Sequence, residues 1–179
     1  MAEVPVSKSA SQAQPRAEAE LTPSHGAAFT HHDHHQCSSE ALARAEAAVG
    51  AAGAKLTPVR RRVLEILLSG HKAFGAYEVL EQLASEGFAK QPPVAYRALD
   101  FLVEQGLAHR IRRLNAFTAC SCPGEMHAPM FLICEGCKSV AETPAPEVRA
   151  EMDRAAAGFG FTIQRTSIEA VGLCPACAA

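Results

Sequence analysis

Two C-x₂-C units, Cys134-Glu-Gly-Cys137 and Cys174-Pro-Ala-Cys177, constrain this chain more than any other feature. Together they offer four thiolates, a complete tetrahedral shell for zinc. The stretch between the pairs exceeds the usual zinc-ribbon spacing, so it must form a module that brings them together. That module is readable. Val140-Ala141-Glu142 reads as a short strand. Residues 147–159 read as a helix with Val148, Met152, Ala155 and Phe159 along one side. Residues 161–171 read as extended, with an alternation that slips phase near Thr166. A four-Cys shell leaves no position open to a substrate, so the site is expected to be structural. Such a site supplies on the order of 10–16 kcal/mol of folding free energy. The alternative, a pair of redox-active or merely buried thiol pairs, has no thioredoxin-like βαβ context here.

The seven Cys among 179 residues could also suggest a secreted disulfide scaffold. Residues 1–20 are polar, however, without the apolar core of a signal peptide, and no run approaches the roughly 18 apolar residues of a membrane span. The expectation is a cytoplasmic chain with reduced thiols that bind metal. The formal net charge of −2 argues weakly against nucleic acid. Its distribution reverses that: residues 55–113 hold ten Lys/Arg against six Asp/Glu, and the remainder holds seven against thirteen. A basic half joined to an acidic one fits a domain that meets phosphate and another that does not.

Residues 1–36 are rich in Ala, Ser, Pro and Gln and cannot bury enough apolar surface to offset chain entropy, so disorder is expected there. Inside this tail lies Thr30-His31-His32-Asp33-His34-His35-Gln36-Cys37, whose imidazoles His31, His32, His34 and His35 are candidates for an accessory metal. The other reading is a solvated His-rich tail. Ser38 or Ser39 could cap a helix over residues 40–49, ending at Gly50. Thr57-Pro58 then starts a helix with Val59, Val63, Leu64, Ile66, Leu67 and Leu68 on its apolar stripe and Arg60, Arg61 and Arg62 at its start. Those arginines suit either a solvated face or phosphate contact. A second helix spans residues 76–85, with Val79, Leu80, Leu83 and Ala84 inward. Gln91-Pro92-Pro93 breaks the chain before a third helix to Gln105, with Val94, Ala95, Ala98, Leu99, Leu102 and Val103 on one face.

Three such helices with short turns suggest a helix-turn-helix. The third helix would enter the major groove, with Tyr96 and Arg97 in its N-terminal turns. Residues 107–114 alternate, Asn115 turns the chain, and residues 116–120 return: a β-hairpin, or wing, made basic by Arg110, Arg112 and Arg113. A second ligand set remains. His109 lies on the wing, Cys120 at its end, His127 in a Pro/Gly-rich connector, and Glu142 beyond the first knuckle. Singly, each has a bland reading as a surface or satisfied core group. Together they make a mixed N₂SO shell compatible with tetrahedral zinc.

The runs Leu56-Thr57-Pro58-x-Arg60, Ala76-Tyr77, Pro92-Pro93-Val94-Ala95-Tyr96-Arg97-Ala98-Leu99-Asp100-Phe101-Leu102 and Gly106-Leu107-x-His109 resemble the ferric uptake regulator family. The two C-x₂-C units and Ile168-Glu169-Ala170-x-Gly172-Leu173-Cys174 look like its zinc uptake regulator branch. The resemblance covers about residues 40–177. It implies an α+β protein: an N-terminal winged helix-turn-helix DNA-binding domain plus a small α/β dimerisation domain stapled by a Cys₄ zinc. The expected boundaries are a tail over 1–38, a DNA-binding domain over 39–120, a hinge over 121–130 and a dimerisation domain over 131–179. It implies a homodimeric repressor of zinc uptake genes on a palindromic AT-rich operator, not an enzyme, holding about two Zn²⁺ per protomer. The structural zinc would fall on Cys134, Cys137, Cys174 and Cys177, and the regulatory zinc on His109, Cys120, His127 and Glu142. DNA contacts would fall on Tyr77, Tyr96, Arg97 and Arg60. Ala95 stands where the family commonly has Thr, and Cys122 offers a second sulfur close to Cys120. Siblings sense iron, manganese or peroxide; a thiolate at the sensor favours zinc over those harder metals.

Overall fold

Asp33 and Thr57 decide where the helical half of the chain begins. The computed structural model describes residues 27–30, 32–88, 90–124 and 127–179. After one 3₁₀ turn, Ala27–Phe29, the Asp33 carboxylate accepts from the His35 and Gln36 amides and opens α1 (His34–Ala51). The helix therefore starts well before the Ser38 or Ser39 cap that composition suggests, and residues 34–38 belong to it rather than to an unstructured tail. The rest of the expected tail, residues 1–26 and His31, lies outside the described residues. Thr57 accepts from the Arg60 amide and Pro58 sits in the first turn of α2 (Pro58–Leu68), as its sequence predicts.

The chain then forms β1 (Phe74–Gly75), α3 (Ala76–Ser85) and α4 (Pro92–Glu104). Val63, Leu64, Ile66 and Leu67 of α2, Val79 and Leu83 of α3, and Ala95, Ala98, Leu99 and Leu102 of α4 form one core, closed by Ala45 and Val49 of α1. Val103, expected inside, is exposed. Arg61 and Arg62 do not await phosphate. Arg61 pairs with Glu46 and Glu65, and Arg62 pairs with Glu65 and Glu86, so they brace α2 against α1 and the end of α3.

The wing forms as β2 (Ala108–Ile111) and β3 (Ala116–Ala119), antiparallel, with Arg110 opposite Phe117. Asn115 takes a left-handed φ of 47° at the turn, a conformation an Asn tolerates. The two-residue β1 joins β3 as a third strand, a pairing too short to show as periodicity. This is a winged helix-turn-helix.

The second unit is a small sheet of order β5-β4-β6: β4 (Pro129–Cys134), β5 (Val140–Pro144) and β6 (Ile168–Gly172). Its central strand, β4, was expected to be partly connector. Its apolar run lies between an antiparallel β5 and a parallel β6. The crossover to β6 carries α5 (Pro146–Ala157), and α6 (Pro175–Ala178) ends the chain. Of the segment expected to be extended from residue 161, only β6 is strand. Phe159 falls outside α5, which buries no residue: Val148 and Met152 face outward, and Phe159 is 91% exposed.

The two units meet at a seam. Ile111 of the wing, fully buried, packs with Phe131, Ile133 and Val140 of the second sheet. The His71 carbonyl accepts from the Val140 amide at 2.9 Å, and Lys72 bridges to Ser139. Both carboxylate oxygens of Glu169 on β6 accept from the wing turn, from the Arg112 amide at 2.7 Å and the Arg113 amide at 3.0 Å. Leu99 has no exposure and is part of the helical core. Leu99→Ala should cost about 2–5 kcal/mol, read as a lower urea midpoint with an unchanged slope.

Candidate metal centre

Each ligand position follows from the strand or turn that carries it. His109 lies on β2 opposite Thr118, and Cys120 follows β3, its amide donating to the Leu107 carbonyl. His127 lies two residues before β4, and Glu142 lies on β5 opposite Phe131. Wing and second sheet thus face each other with two donors from the wing and its end, one from the connector and one from the sheet. Nε2 of His127 stands 2.7 Å from Oε1 of Glu142, and Nε2 of His109 stands 3.2 Å from the same oxygen. The two imidazole nitrogens are 3.3 Å apart, and the Cys120 sulfur is 3.5 Å from Nε2 of His127. One ligand atom from each of the four lies within 4.8 Å of every other. Cys122 is not in this group, so the sulfur drawn to the seam is that of Cys120.

The environment is that of a site built around one charge. Glu142 is 6% exposed and Cys120 is buried. Oε2 of Glu142 accepts from the Ser121 amide at 2.8 Å, which fixes the carboxylate and leaves Oε1 toward the imidazoles. Burial opposes the charge on Glu142. Hydrogen bonds from His109, His127 and the Ser121 amide outweigh it and hold the carboxyl well below the usual carboxylate range. Two imidazoles, a thiol and an ionised carboxylate form a tetradentate N₂SO set of the kind zinc takes. Ser121 was not anticipated from the sequence, because a backbone donor carries no side-chain signal.

Cys134, Cys137, Cys174 and Cys177 gather at the far end of the second sheet, where β4 turns into β5 and α6 begins. Their sulfurs lie within 4.8 Å of one another, with Cys137 and Cys174 at 3.7 Å. That is far beyond a disulfide bond and close to the edge of about 3.8 Å of a tetrahedron with Zn–S bonds of about 2.3 Å. The Cys174 amide donates to the Cys134 sulfur at 3.3 Å. Backbone donors from Cys137 and Cys174 bring the Cys134 thiol down to about 6. Hydrogen bonds with its neighbours Cys174, Cys134 and Cys137 push Cys177 up to about 12. Gly136 makes the approach possible: a Cβ there would lie 2.9 Å from the Cys177 sulfur. Lys138, with φ of 64°, completes the left-handed turn of the knuckle.

The residues expected at DNA are none of the clustered metal ligands. Tyr77, 66% exposed, opens α3, and Tyr96 and Arg97 are exposed in the first turns of α4. Arg60 lays its guanidinium 3.5 Å over the Phe101 ring and donates to the Lys55 carbonyl. Arg110, Arg112 and Arg113 are exposed on the wing. Of the N-terminal histidines, His35 is exposed and outside any ligand group, whereas His32 and His34 come together with Cys37 and His71. His71 was missed because a single His in a loop gives no pattern. Among the described residues, no helix is long and apolar enough to cross a membrane.

Residues 51–171 match the model of the ferric uptake regulator family. The chain is 37% identical over 139 residues to the zinc uptake regulation protein of Escherichia coli strain K12, covering 77% of this chain and 81% of that one. It is similar to a solved zinc uptake regulator complexed with zinc and DNA, with a TM-score of 0.74 and 36% identity over 79% of this chain and 95% of that one. It is also similar to the crystal structure of holo XcZur, with a TM-score of 0.72 and 37% identity over 79% of this chain and 98% of that one. The family match runs from the end of α1 through β6 and includes all four seam ligands, and the chain belongs to the ferric uptake regulator family.

Proposed function

We propose that this chain is a zinc-responsive, DNA-binding transcriptional repressor of zinc uptake genes, a cytoplasmic homodimer and not an enzyme. The observation that carries the reading is the N₂SO set at the seam, drawn from both sides of it, in a member of this family. The similarity to a zinc uptake regulator complexed with zinc and DNA supports both the metal and the partner. The Cys120 thiolate supports zinc over iron or manganese, which take oxygen and nitrogen donors. His109, Cys120, His127 and Glu142 would hold the regulatory ion, and Cys134, Cys137, Cys174 and Cys177 a structural one.

When bound, the regulatory ion supplies a divalent positive charge that satisfies a buried carboxylate and a thiolate at once. The protein's part is positional. His109 moves with the wing and Glu142 with the second sheet, so holding the four donors together fixes the angle between the two units. Tyr96 and Arg97 on α4 and the basic wing are then presented in one pose, with Tyr77 beside them. A second copy would cover the apolar side of α5 and the Phe159–Phe161 bend, where Val148, Met152, Phe159 and Phe161 face solvent. Two α4 helices at fixed separation read the two halves of a palindrome. Coupling between metal and DNA of about 1–3 kcal/mol, or roughly 5–150-fold, is the size expected.

Zinc titrated into protein stripped of exchangeable metal should switch on binding to an AT-rich palindromic duplex. Cys120→Ser should abolish the switch while leaving a folded dimer. Binding that ignores zinc and answers to Fe²⁺ or Mn²⁺ would overturn the metal assignment. Gly136→Ala, which forces a Cβ against Cys177, should make the structural ion removable by a chelator that leaves the wild-type Cys₄ site loaded; metal retention measured by mass spectrometry reads this directly. Glu169→Gln should weaken DNA binding at saturating zinc about fivefold, the equivalent of roughly 1 kcal/mol, with zinc content unchanged. An unaltered affinity would show that the carboxylate on the wing turn contributes nothing to the DNA-binding pose.

A further inference from the structure

We infer that His32, His34, Cys37 and His71 form a third zinc site, which fastens the N-terminal segment across the seam between the two units. One ligand atom from each lies within 4.8 Å of all the others. The set is His₃Cys, a full tetrahedral shell of nitrogen and sulfur donors. It comes from two distant parts of the chain: His34 and Cys37 in the first turns of α1 with His32 just ahead of it, and His71 from the turn between α2 and β1.

The local structure is prepared for a ligand. His34 and Cys37 are three apart in the first turns of α1, so both project from one face. Asp33 caps that turn and fixes its direction. Nδ1 of His32 is 3.0 Å from the Thr30 carbonyl, which as an N–H···O bond places the ring proton there and leaves Nε2 as the donor atom. Nε2 of His32 faces Nε2 of His71 at 2.9 Å, a separation at which at most one of the two can carry a proton. Both ring nitrogens of His34 are buried without a hydrogen-bond partner among the described residues. Unpartnered buried nitrogens are expensive, and a cation bound by the cluster would give one of them a partner. The ring centroids of His34 and His71 are 4.8 Å apart, as are those of His32 and His71. Burial, reinforced by His34 and His32, lowers His71 to about 4, which keeps it in the neutral form that binds metal.

The placement gives the site a consequence. His71 joins the cluster through its side chain and the second sheet through its carbonyl, which accepts from Val140 of β5. On the other flank, the 3₁₀ turn at Ala27–Phe29 lies against β5, and Phe29 lines an apolar trough with Leu132, Ile133 and Val171. Between them, α1 packs on α2. The segment therefore runs as a strap from the second sheet to the helical core, with the His₃Cys set as its buckle. Its effect on DNA binding rests on the regulatory reading above; its existence as a site does not.

The test is zinc counted per full-length chain after equilibration with excess zinc and removal of the free ion. Wild type should hold three, and His71→Gln and Cys37→Ser two each. His35→Ala, which alters the tail without touching the cluster, should hold three. Zinc should also protect the amides of residues 32–37 from hydrogen exchange in wild type and not in His71→Gln, whose helical circular dichroism serves as the folding control. Two ions in the wild type, or three retained in His71→Gln, would overturn the proposal. So would loss of the third ion in His35→Ala, which would assign it to a loose tail cluster. In a Cys120→Ser background the count should fall by one more on adding His71→Gln. If Cys120→Ser alone removes no ion, the sensor assignment fails while the His71-dependent ion still supports the third site.

Discussion

Glu142 carries a negative charge into a place with almost no water, between the wing and the second sheet. A carboxylate there must be met by donors or by a cation, because its desolvation is otherwise several kcal/mol. The chain meets it with the Ser121 amide on one oxygen and with two imidazoles on the other. Those donors come from the wing hairpin's end, the wing itself and the connector. The position of the carboxylate therefore holds both units in register. Ile111, buried against Phe131, Ile133 and Val140, adds apolar closure to the same seam. In the proposed function His109, Cys120, His127 and Glu142 would hold the ion, and its positive charge would serve the buried carboxylate at a place that links metal occupancy to the angle between the units.

The two remaining cysteine pairs solve a different problem. The second unit is a three-stranded sheet whose crossover helix buries nothing in the single chain. So little core cannot offset the chain entropy of its residues. A Cys₄ cluster between the β4–β5 turn and α6 ties the end of the chain to the middle of the sheet. It lies wholly inside one unit, whereas the N₂SO set spans two. An ion at the first would constrain one unit, whereas an ion at the second would constrain how the two units sit against each other.

Much of this was legible in the sequence, and the gaps have physical causes. Thr57-Pro58 and the apolar stripes of α2, α3 and α4 are local signals, and those helices begin where the signals lie. The wing could be read from its alternation and from Asn115. The neighbourhood of the four cysteines follows from their doublet spacing, and the seam set from ligand chemistry at the wing and connector. What failed to show was long-range. β4 looks like part of a connector because a central strand flanked on both sides has no alternation. β1 is two residues long. Arg61 and Arg62 read as a basic start of a helix, yet Glu46 and Glu86, distant in sequence, consume them. The start of α1 was hidden because Asp33 sits among histidines that suggest a tail.

His71 and Glu169 show what such hidden residues do. Neither belongs to a motif of metal chemistry by sequence, yet each contributes where the two units touch. Glu169 holds the amides of Arg112 and Arg113, so the turn carrying the wing's basic residues is fixed from the second sheet. His71 offers its carbonyl to Val140 and its ring to the N-terminal cluster. The seam is thus held at three places: by Glu142 in the middle, by Glu169 at the wing tip and by His71 at the α2–β1 turn. Each contact narrows the range of orientations that the other two leave open. A single occupied metal site need only tip the balance between poses that this geometry already restricts, which is why a coupling of a few kcal/mol suffices for a switch.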